Sequence, residues 1–333
     1  MSRLMERADL EPTILILASQ HDFACDYVIS RLRSKGETYL RLNSEDLPRL
    51  ELTLDPRGPT LFGELPPKTG EPAGVHFKVL SENLKSIYFR RPVFLRHAPA
   101  NIRSPEEQFA LEQWATLTRS LMVFERCRWI NSPMHTYRAE NKPYQLATAT
   151  RLGFNIPDTI VTNSNKYIAQ KFASTASIAI KGIDTVFIQG GQEDLFGYTS
   201  ILTHDEVARS HIQSIPLIAQ RAILNKIDLR VTVVGEQVFC ASITIDGSPI
   251  GGDWRLQKRN TKFSPFSLPR EVSRKCIELT QALGLTYGAI DLALDDGQFY
   301  FLEINPTGEW AWLVDAAGFP LDEVIANELA WAR

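Results

Sequence analysis

Cysteine is scarce and scattered in this chain: Cys25, Cys127, Cys240 and Cys276 stand far apart, with no Cys-x-x-Cys pair. That spacing argues against a disulfide scaffold and against thiolate metal ligation. It leaves reduced, small apolar residues of the kind a cytoplasmic protein carries. Five of the six histidines, His76, His97, His135, His204 and His211, show no paired ligand spacing, and none is assigned a metal. No stretch approaches the roughly 20 apolar residues that a membrane span needs. Arg3, Glu6, Arg7, Asp9 and Glu11 precede any apolar run, which is unlike a signal peptide. An excess of charge of one sign is also missing: a net charge of −3 gives no bulk electrostatic reason to bind nucleic acid or a membrane surface. There is no internal repeat and no low-complexity segment. No Ser/His/Asp or Cys/His set can be read from the order of residues.

What is present is an ordinary globular composition, 44% apolar and 23% charged over 333 residues, enough for two domains or three small ones. Residues 13–18 read as a buried strand, 23–35 as a helix stopped by Gly36, and 38–42 as a second strand. That order predicts an α/β domain with a parallel sheet. Residues 55–74, rich in Pro and Gly, predict a hairpin and a surface loop. A long amphipathic helix is expected over 105–126, burying Phe109, Trp114, Leu117 and Leu121. The boundary falls near 129–133, giving an N-terminal domain over 1–130 and a second over 131–333. The second domain opens with a helix over 138–152, closed by Gly153 and Pro157. A strand (159–162), a helix (163–172, capped by Asn163) and a strand (178–182) follow, the last running into a loop through Gly190-Gly191. A strand pair over 228–245, a polar stretch (246–259) and a helix (270–283) lead to a final hairpin.

That hairpin is the most informative part of the chain. Gly288-Ala289-Ile290-Asp291-Leu292-Ala293-Leu294 and Tyr300-Phe301-Leu302-Glu303-Ile304-Asn305 read as strands joined by the turn Asp295-Asp296-Gly297. Strand side chains alternate faces, so Ile290, Leu292 and Leu294 point one way and Asp291 the other. Likewise Leu302 and Ile304 are expected on one face, with Glu303 and Asn305 on the opposite one. Two carboxylates and an amide oxygen then meet on one surface. Such hard oxygen donors suit Mg²⁺, which takes one or two carboxylates and completes its shell with water and phosphate. A solvated hairpin face with scattered polar residues fits the same pattern.

Glu303-Ile304-Asn305-Pro306-Thr307-Gly308 after an Asp-bearing strand resembles the metal-binding end of the ATP-grasp ligases. The longer match, through Glu309-Trp310-Ala311-Trp312, resembles the branch that matures ribosomal peptides into graspetides, the microviridin-type ligases. Tyr88-Phe89-Arg90-Arg91-Pro92, Tyr137-Arg138-Ala139-Glu140-Asn141-Lys142 and Asp228-Leu229-Arg230-Val231-Thr232-Val233-Val234-Gly235 agree with that branch, so the likeness runs from about residue 85 to about 313.

The resemblance implies an α/β, ATP-grasp fold, two α+β subdomains clasping ATP, behind an N-terminal α/β pre-ATP-grasp domain. The unit at about 155–220 would be its mobile lid. It implies ATP and Mg²⁺ as cofactors, with Asp291, Glu303 and Asn305 on the metal. Lys142 and Lys181 would contact the phosphates, although Gly182 stands where the family often has proline. Gln220 and Ile223 would form the adenine pocket. Asp228 would approach the ribose, with Asn225 competing for that role. Arg230 and Arg255 would surround the transferring phosphoryl group and the substrate carboxylate. Each position also has a plain structural reading. Lys181 is also a surface lysine at a strand end, and Lys142 a solvated helix residue near Glu140. Arg230 and Arg255 are also partners for Asp246 or Asp253. Arg90 and Arg91 could meet an acidic peptide or line a domain interface, and Trp310 and Trp312 are more naturally core aromatics.

The function implied is a carboxylate–nucleophile ligase. A substrate Asp or Glu side chain attacks the γ-phosphorus of ATP, giving an acyl phosphate and ADP. A Thr/Ser hydroxyl or a Lys amine then displaces phosphate, forming an ester or an amide. In a graspetide ligase both groups belong to one acidic precursor peptide with leader and core, so the product is a macrocycle. The family also implies a cytoplasmic homodimer. Two other functions stay open: a RimK-like ligase adding free amino acids to a carboxylate, and a non-catalytic ATP-binding module. No general base is evident.

Overall fold

The computed structural model describes residues 9–67, 74–90, 104–184, 187–189, 194–196, 199–210, 212–245 and 261–331, with only the backbone described for 187–189 and 194–196. The chain divides into two compact units, Met1–Met134 with Pro320–Arg333, and His135–Phe319.

In the first unit, β1 (Ile14–Ala18) is buried along its whole length, as expected of an apolar run covered on both faces. Helix α1 (Phe23–Ser34) leads to β2 (Tyr39–Asn43), and the chain then forms β3 (Glu51–Asp55), β4 (Thr60–Leu65), β5 (Val75–Leu80) and β6 (Ser86–Phe89). Helix α2 (Pro105–Ser120) and β7 (Arg128–Ile130) complete the run. Strands β2-β1-β6-β7 make a parallel sheet, and β3-β4-β5 a separate antiparallel one. The Pro/Gly-rich segment thus contributes to a three-stranded sheet rather than to a lone hairpin. Helix α2 begins where Ser104 accepts a hydrogen bond from the Glu107 N–H (3.2 Å) and is six residues shorter than expected. Ala115 and Thr118 are its buried positions, with Leu121 buried just past its end, while Phe109 is 63% exposed. The packed stripe therefore covers only the C-terminal half.

The second unit opens with α3 (Pro133–Ala139) and α4 (Lys142–Arg151), where one helix was expected. Pro143 lacks the N–H that would continue the helical ladder, and Asn141 caps α4 by accepting from the Tyr144 N–H at 2.9 Å. Next come β8 (Thr159–Thr162), α5 (Asn165–Lys171), β9 (Ile178–Lys181), β10 (Phe187–Gln189), β11 (Asp194–Phe196), β12 (Ser200–Leu202), α6 (His204–Arg209) and β13 (Leu217–Arg221). The cap of α5 is Ser164, not Asn163. Strands β12-β9-β13-β8 form a four-stranded antiparallel sheet. One face, with Ile178, Leu217 and Ala219, packs against Ile168 and Phe172 of the α5 region and Val207 of α6.

A five-stranded antiparallel sheet follows, ordered β16-β15-β14-β17-β18. Its strands are β14 (Ile227–Val234), β15 (Gln237–Ile245), β16 (Thr261–Pro265), β17 (Tyr287–Asp295) and β18 (Gln298–Asn305), with α7 (Arg270–Ala282) between β16 and β17. Leu229, Val231, Val233, Ile290, Leu292, Phe301 and Ile304 face a core completed by Leu146 and Ala149 of α4 and Cys276 and Leu279 of α7. Helix α8 (Ala311–Ala317) ends the unit at Gly318, whose φ of +70° is the left-handed conformation of a helix stop. The last helix, α9 (Leu321–Ala330), belongs to the first unit, where the Ser86 hydroxyl donates to the Leu329 carbonyl at 2.7 Å. Nothing in the sequence pattern announces that return. No helix among the described residues is long and apolar enough to cross a membrane.

All four cysteines are buried and none is in a disulfide. Burial pushes the thiols of Cys25 and Cys240 far above the usual range and that of Cys276 up to about 12. At about pH 8, native protein should not react promptly with a thiol-specific chromogenic reagent, because the reactive species is the thiolate. All four thiols should react after denaturation. Rapid native labelling of Cys25, Cys240 or Cys276 would contradict this burial.

Candidate active site

Strands β17 and β18 close through Asp296 and Gly297, with φ of +46° and +74°. Both central residues of the two-residue loop thus take the left-handed region that the Asp-Gly pair tolerates. Asp291 stands directly opposite Glu303, and Ala289 opposite Asn305. A register shift next to Asp291 places Leu292 opposite Phe301, leaving Leu302 as a bulge residue. This corrects the simple alternation: Phe301 and Ile304, rather than Leu302 and Ile304, face the core.

Strand β14 extends the same row. Arg230 pairs in register with Asp291, and its Nη1 lies 3.3 Å from Asp291 Oδ1. Asp228 shares that face two residues away, is 6% exposed, and accepts a hydrogen bond from Lys226 Nζ. From the helical side, Lys142 at the start of α4 brings Nζ to 3.5 Å from Glu303 Oε2. Two carboxylates and two cations from four elements therefore meet in one half-buried cluster, their side chains between 12% and 23% exposed. Arg230 Nε is buried and has no hydrogen-bond partner among the described residues. A charged donor left over at this position is what a site for phosphoryl or carboxylate oxygens requires.

The loop beyond β18 is fixed closely. Asn305 Oδ1 accepts from the Thr307 N–H at 3.0 Å, and the buried Tyr287 hydroxyl donates to the Gly308 carbonyl at 2.7 Å. A Cβ at Gly308 would fall 2.5 Å from the Ala289 Cβ, so only glycine lets the loop pass there. Trp310 is fully buried, and Trp312 packs against Phe263 with ring centroids 4.2 Å apart and the planes tilted by 48°. Among the described residues no three His, Cys, Asp or Glu side chains form a self-sufficient metal cage. Asp291, Glu303 and the amide oxygen of Asn305 are instead a partial oxygen set. That donor chemistry fits Mg²⁺, whose remaining ligands are water and phosphate. The same oxygen accepts from the Thr307 hydroxyl at 3.4 Å, and that longer bond is the one a metal ion would displace for Asn305 to ligate.

Lys181 and Gln220 lie on another sheet. In register, Lys181 and Val161 flank Ile218, and Ala179 and Thr159 flank Gln220. All share the face opposite that packed on α5 and α6. Gln220 is 3% exposed, and its Nε2 donates to Thr159 Oγ1 at 2.8 Å. Ile223 is buried just past β13. A depression of about 560 Å³ lined by Ile160, Val161, Thr162, Tyr167, Gln170 and Lys171 lies along the edge strand β8 and holds none of the expected site residues. Arg90 is buried in an ion pair with Asp22 at 3.2 Å, within the first unit. Arg255 lies outside the described residues, as do Arg91, Gly190, Gly191, Asp246 and Asp253. Nothing in the sequence singles out Gln145, three residues after Lys142 on α4. Its amide bonds both backbone groups of Ile304, between Glu303 and Asn305. An uncharged residue inside an amphipathic helix carries no sequence signal of such a role.

No family model matches the chain, and no curated protein does. Solved structures do. The macrocyclase MdnC from Microcystis aeruginosa MRC, bound with precursor peptide MdnA, is 25% identical with a TM-score of 0.78, over 95% of this chain and 99% of that one. A Chryseobacterium gregarium RiPP-associated ATP-grasp ligase, in complex with ADP and a leader and core peptide, is 23% identical with a TM-score of 0.79, over 95% and 96%. A RimK domain ATP-grasp protein from Sphaerobacter thermophilus DSM 20745 is more distant, 12% identical with a TM-score of 0.56. The chain has the ATP-grasp fold, and the solved structures it resembles most among these are RiPP ligases.

Proposed function

We propose that this protein is an ATP-dependent ligase that cross-links a ribosomal precursor peptide. The observation that carries the reading is the cluster of Lys142, Glu303, Asp291 and Arg230 on the sheet of an ATP-grasp fold. The likeness to MdnC over nearly the full length of both chains supports the peptide substrate. In this reading Asp291, Glu303 and Asn305 hold Mg²⁺, which supplies neutralisation of the nucleotide phosphates. Lys142, Lys181, Arg230 and Arg255 surround the γ-phosphoryl group. Gln220 and Ile223 receive the adenine, and Asp228 the ribose. A side-chain carboxylate of the peptide attacks the γ-phosphorus, ADP leaves, and the acyl phosphate is captured by a hydroxyl or an amine with release of phosphate. The lid, about residues 155–220, closes over the intermediate and keeps water from it. The precursor is acidic, because its Asp and Glu side chains are the groups activated. The enzyme works as a cytoplasmic homodimer, a setting with which its buried, unpaired thiols agree. A sedimentation mass of one chain would overturn the dimer.

Intact mass spectrometry of a precursor rich in Thr/Ser and Asp/Glu, incubated with the protein, ATP and Mg²⁺, tests the activity. The expected result is loss of one water per bond formed, dependent on ATP. A mass gain from added free amino acids would point to the RimK-like reaction instead, and no change with any acceptor to a nucleotide-binding module.

Glu303→Ala should remove detectable turnover, and near-normal activity would take Glu303 out of the site. Arg230→Met should lower turnover by about 10²-fold or more, the usual cost of losing one fixed electrostatic contact to a developing charge. An unaltered rate would leave Arg230 as a partner of Asp291 and nothing more.

A further inference from the structure

We propose that Gln145 is a positioning residue that sets the geometry of the metal-binding strand. The inference rests on the reading of Asp291, Glu303 and Asn305 as the Mg²⁺ site. Strand β18 is the edge of its sheet, so no neighbouring strand satisfies its outer backbone groups. At Ile304 the Gln145 side chain takes that place. The Ile304 N–H donates to Gln145 Oε1 at 3.0 Å, and Gln145 Nε2 donates to the Ile304 carbonyl at 2.8 Å. The same Nε2 donates to the Ala139 carbonyl at the end of α3, 2.5 Å away. Gln145 is 2% exposed and sits among the core residues Leu146, Ala149 and Ile304.

Ile304 separates Glu303 from Asn305. Its N–H belongs to the peptide plane shared with Glu303, and its carbonyl to the plane shared with Asn305. Clamping both groups orients the two planes from which the two ligands spring. Lys142, one helical turn earlier on α4, reaches Glu303, so the clamp also sets the distance between that cation and its carboxylate. The task needs a neutral side chain with a donor and an acceptor in one plane at glutamine's reach. Asparagine is one methylene short, and ionised glutamate cannot donate.

The test is a Mn²⁺ titration, followed by electron paramagnetic resonance, of the full chain with a non-hydrolysable ATP analogue, with melting followed by circular dichroism. Gln145→Met keeps the length and removes all three hydrogen bonds; Gln145→Asn keeps the amide and loses the reach. Either folded variant should bind Mn²⁺ about 10- to 100-fold more weakly, the usual effect of losing a group that orients a metal ligand. Its sharpened Mn²⁺ spectrum should differ from that of the wild type even at saturation. A folded variant with unchanged Mn²⁺ affinity, whatever its melting temperature, would overturn the inference alone. Failure of both variants to fold would make Gln145 a stability residue and overturn it as well. If the wild-type protein with the analogue binds no Mn²⁺, the metal site itself falls and the inference with it.

Discussion

Two of the three candidate metal ligands, Glu303 and Asn305, stand on the outermost strand of a sheet, and the rest of the site depends on that edge being held. Bare N–H and carbonyl groups at an edge need partners, and leaving one buried and unmet costs about 1–3 kcal/mol. On β18 two devices meet the need. The Asn155 carbonyl accepts from the Phe301 N–H at 2.8 Å, and the Gln145 amide serves Ile304. The inner edge is held by the ladder to β17, which puts Asp291 opposite Glu303, and β14 then puts Arg230 opposite Asp291. Three adjacent strands thus deliver one row of charged side chains, and α4 brings Lys142 to its end.

The bulge at Leu302 makes that row compatible with a packed core. In an unbroken strand Phe301 and Glu303 would project from the same face. The extra residue changes the parity, so that Phe301 joins Leu292 and Ile304 joins Ile290 in the core while Glu303 and Asn305 keep the other face. A bulge beside a charged cluster re-aims side chains without lengthening the sheet. Phe154 packs against Phe301 at 5.7 Å between ring centroids, so a large aromatic sits on the core side of the residue pair that flanks the bulge.

Much of this was legible in the sequence, for physical reasons that differ from element to element. Strand β1 announces itself because a fully buried parallel strand is an uninterrupted apolar run. The β17–β18 turn does so because Asp-Gly suits two residues of positive φ. The face shared by Asp291, Glu303 and Asn305 follows from period-2 alternation, even though the bulge invalidates that alternation at Leu302. Other features leave no local trace. The split between α3 and α4 could have been read from Pro143 after Asn141, but the helical periodicity on either side masks it. The pairing of β5 with β4, the exposure of Phe109 and the return of α9 to the first unit are set by contacts distant in sequence. Gln145 is the clearest case: its partner is 159 residues away, and a glutamine in a helix looks like any solvated position.

The charges of the cluster explain why it needs both cations before any ligand arrives. Directly opposed carboxylates on neighbouring strands have Cβ atoms about 5 Å apart. At that separation two unit charges repel by about 3 kcal/mol at an effective dielectric of about 20, less where solvent screens them. Alone, such a pair would favour protonation of one member, which would remove a metal ligand. Arg230 beside Asp291 and Lys142 beside Glu303 oppose that repulsion by setting one cation against each carboxylate. In the proposed reaction, phosphate oxygens and a divalent ion enter together. The cations can then turn toward phosphate as the carboxylates turn toward metal, an exchange of partners with little change in net charge. Arg230 is suited to it, because a guanidinium carries five donors and the bond to Asp291 uses only part of that set. Its buried Nε, without a partner among the described residues, is where the resting arrangement falls short of full satisfaction.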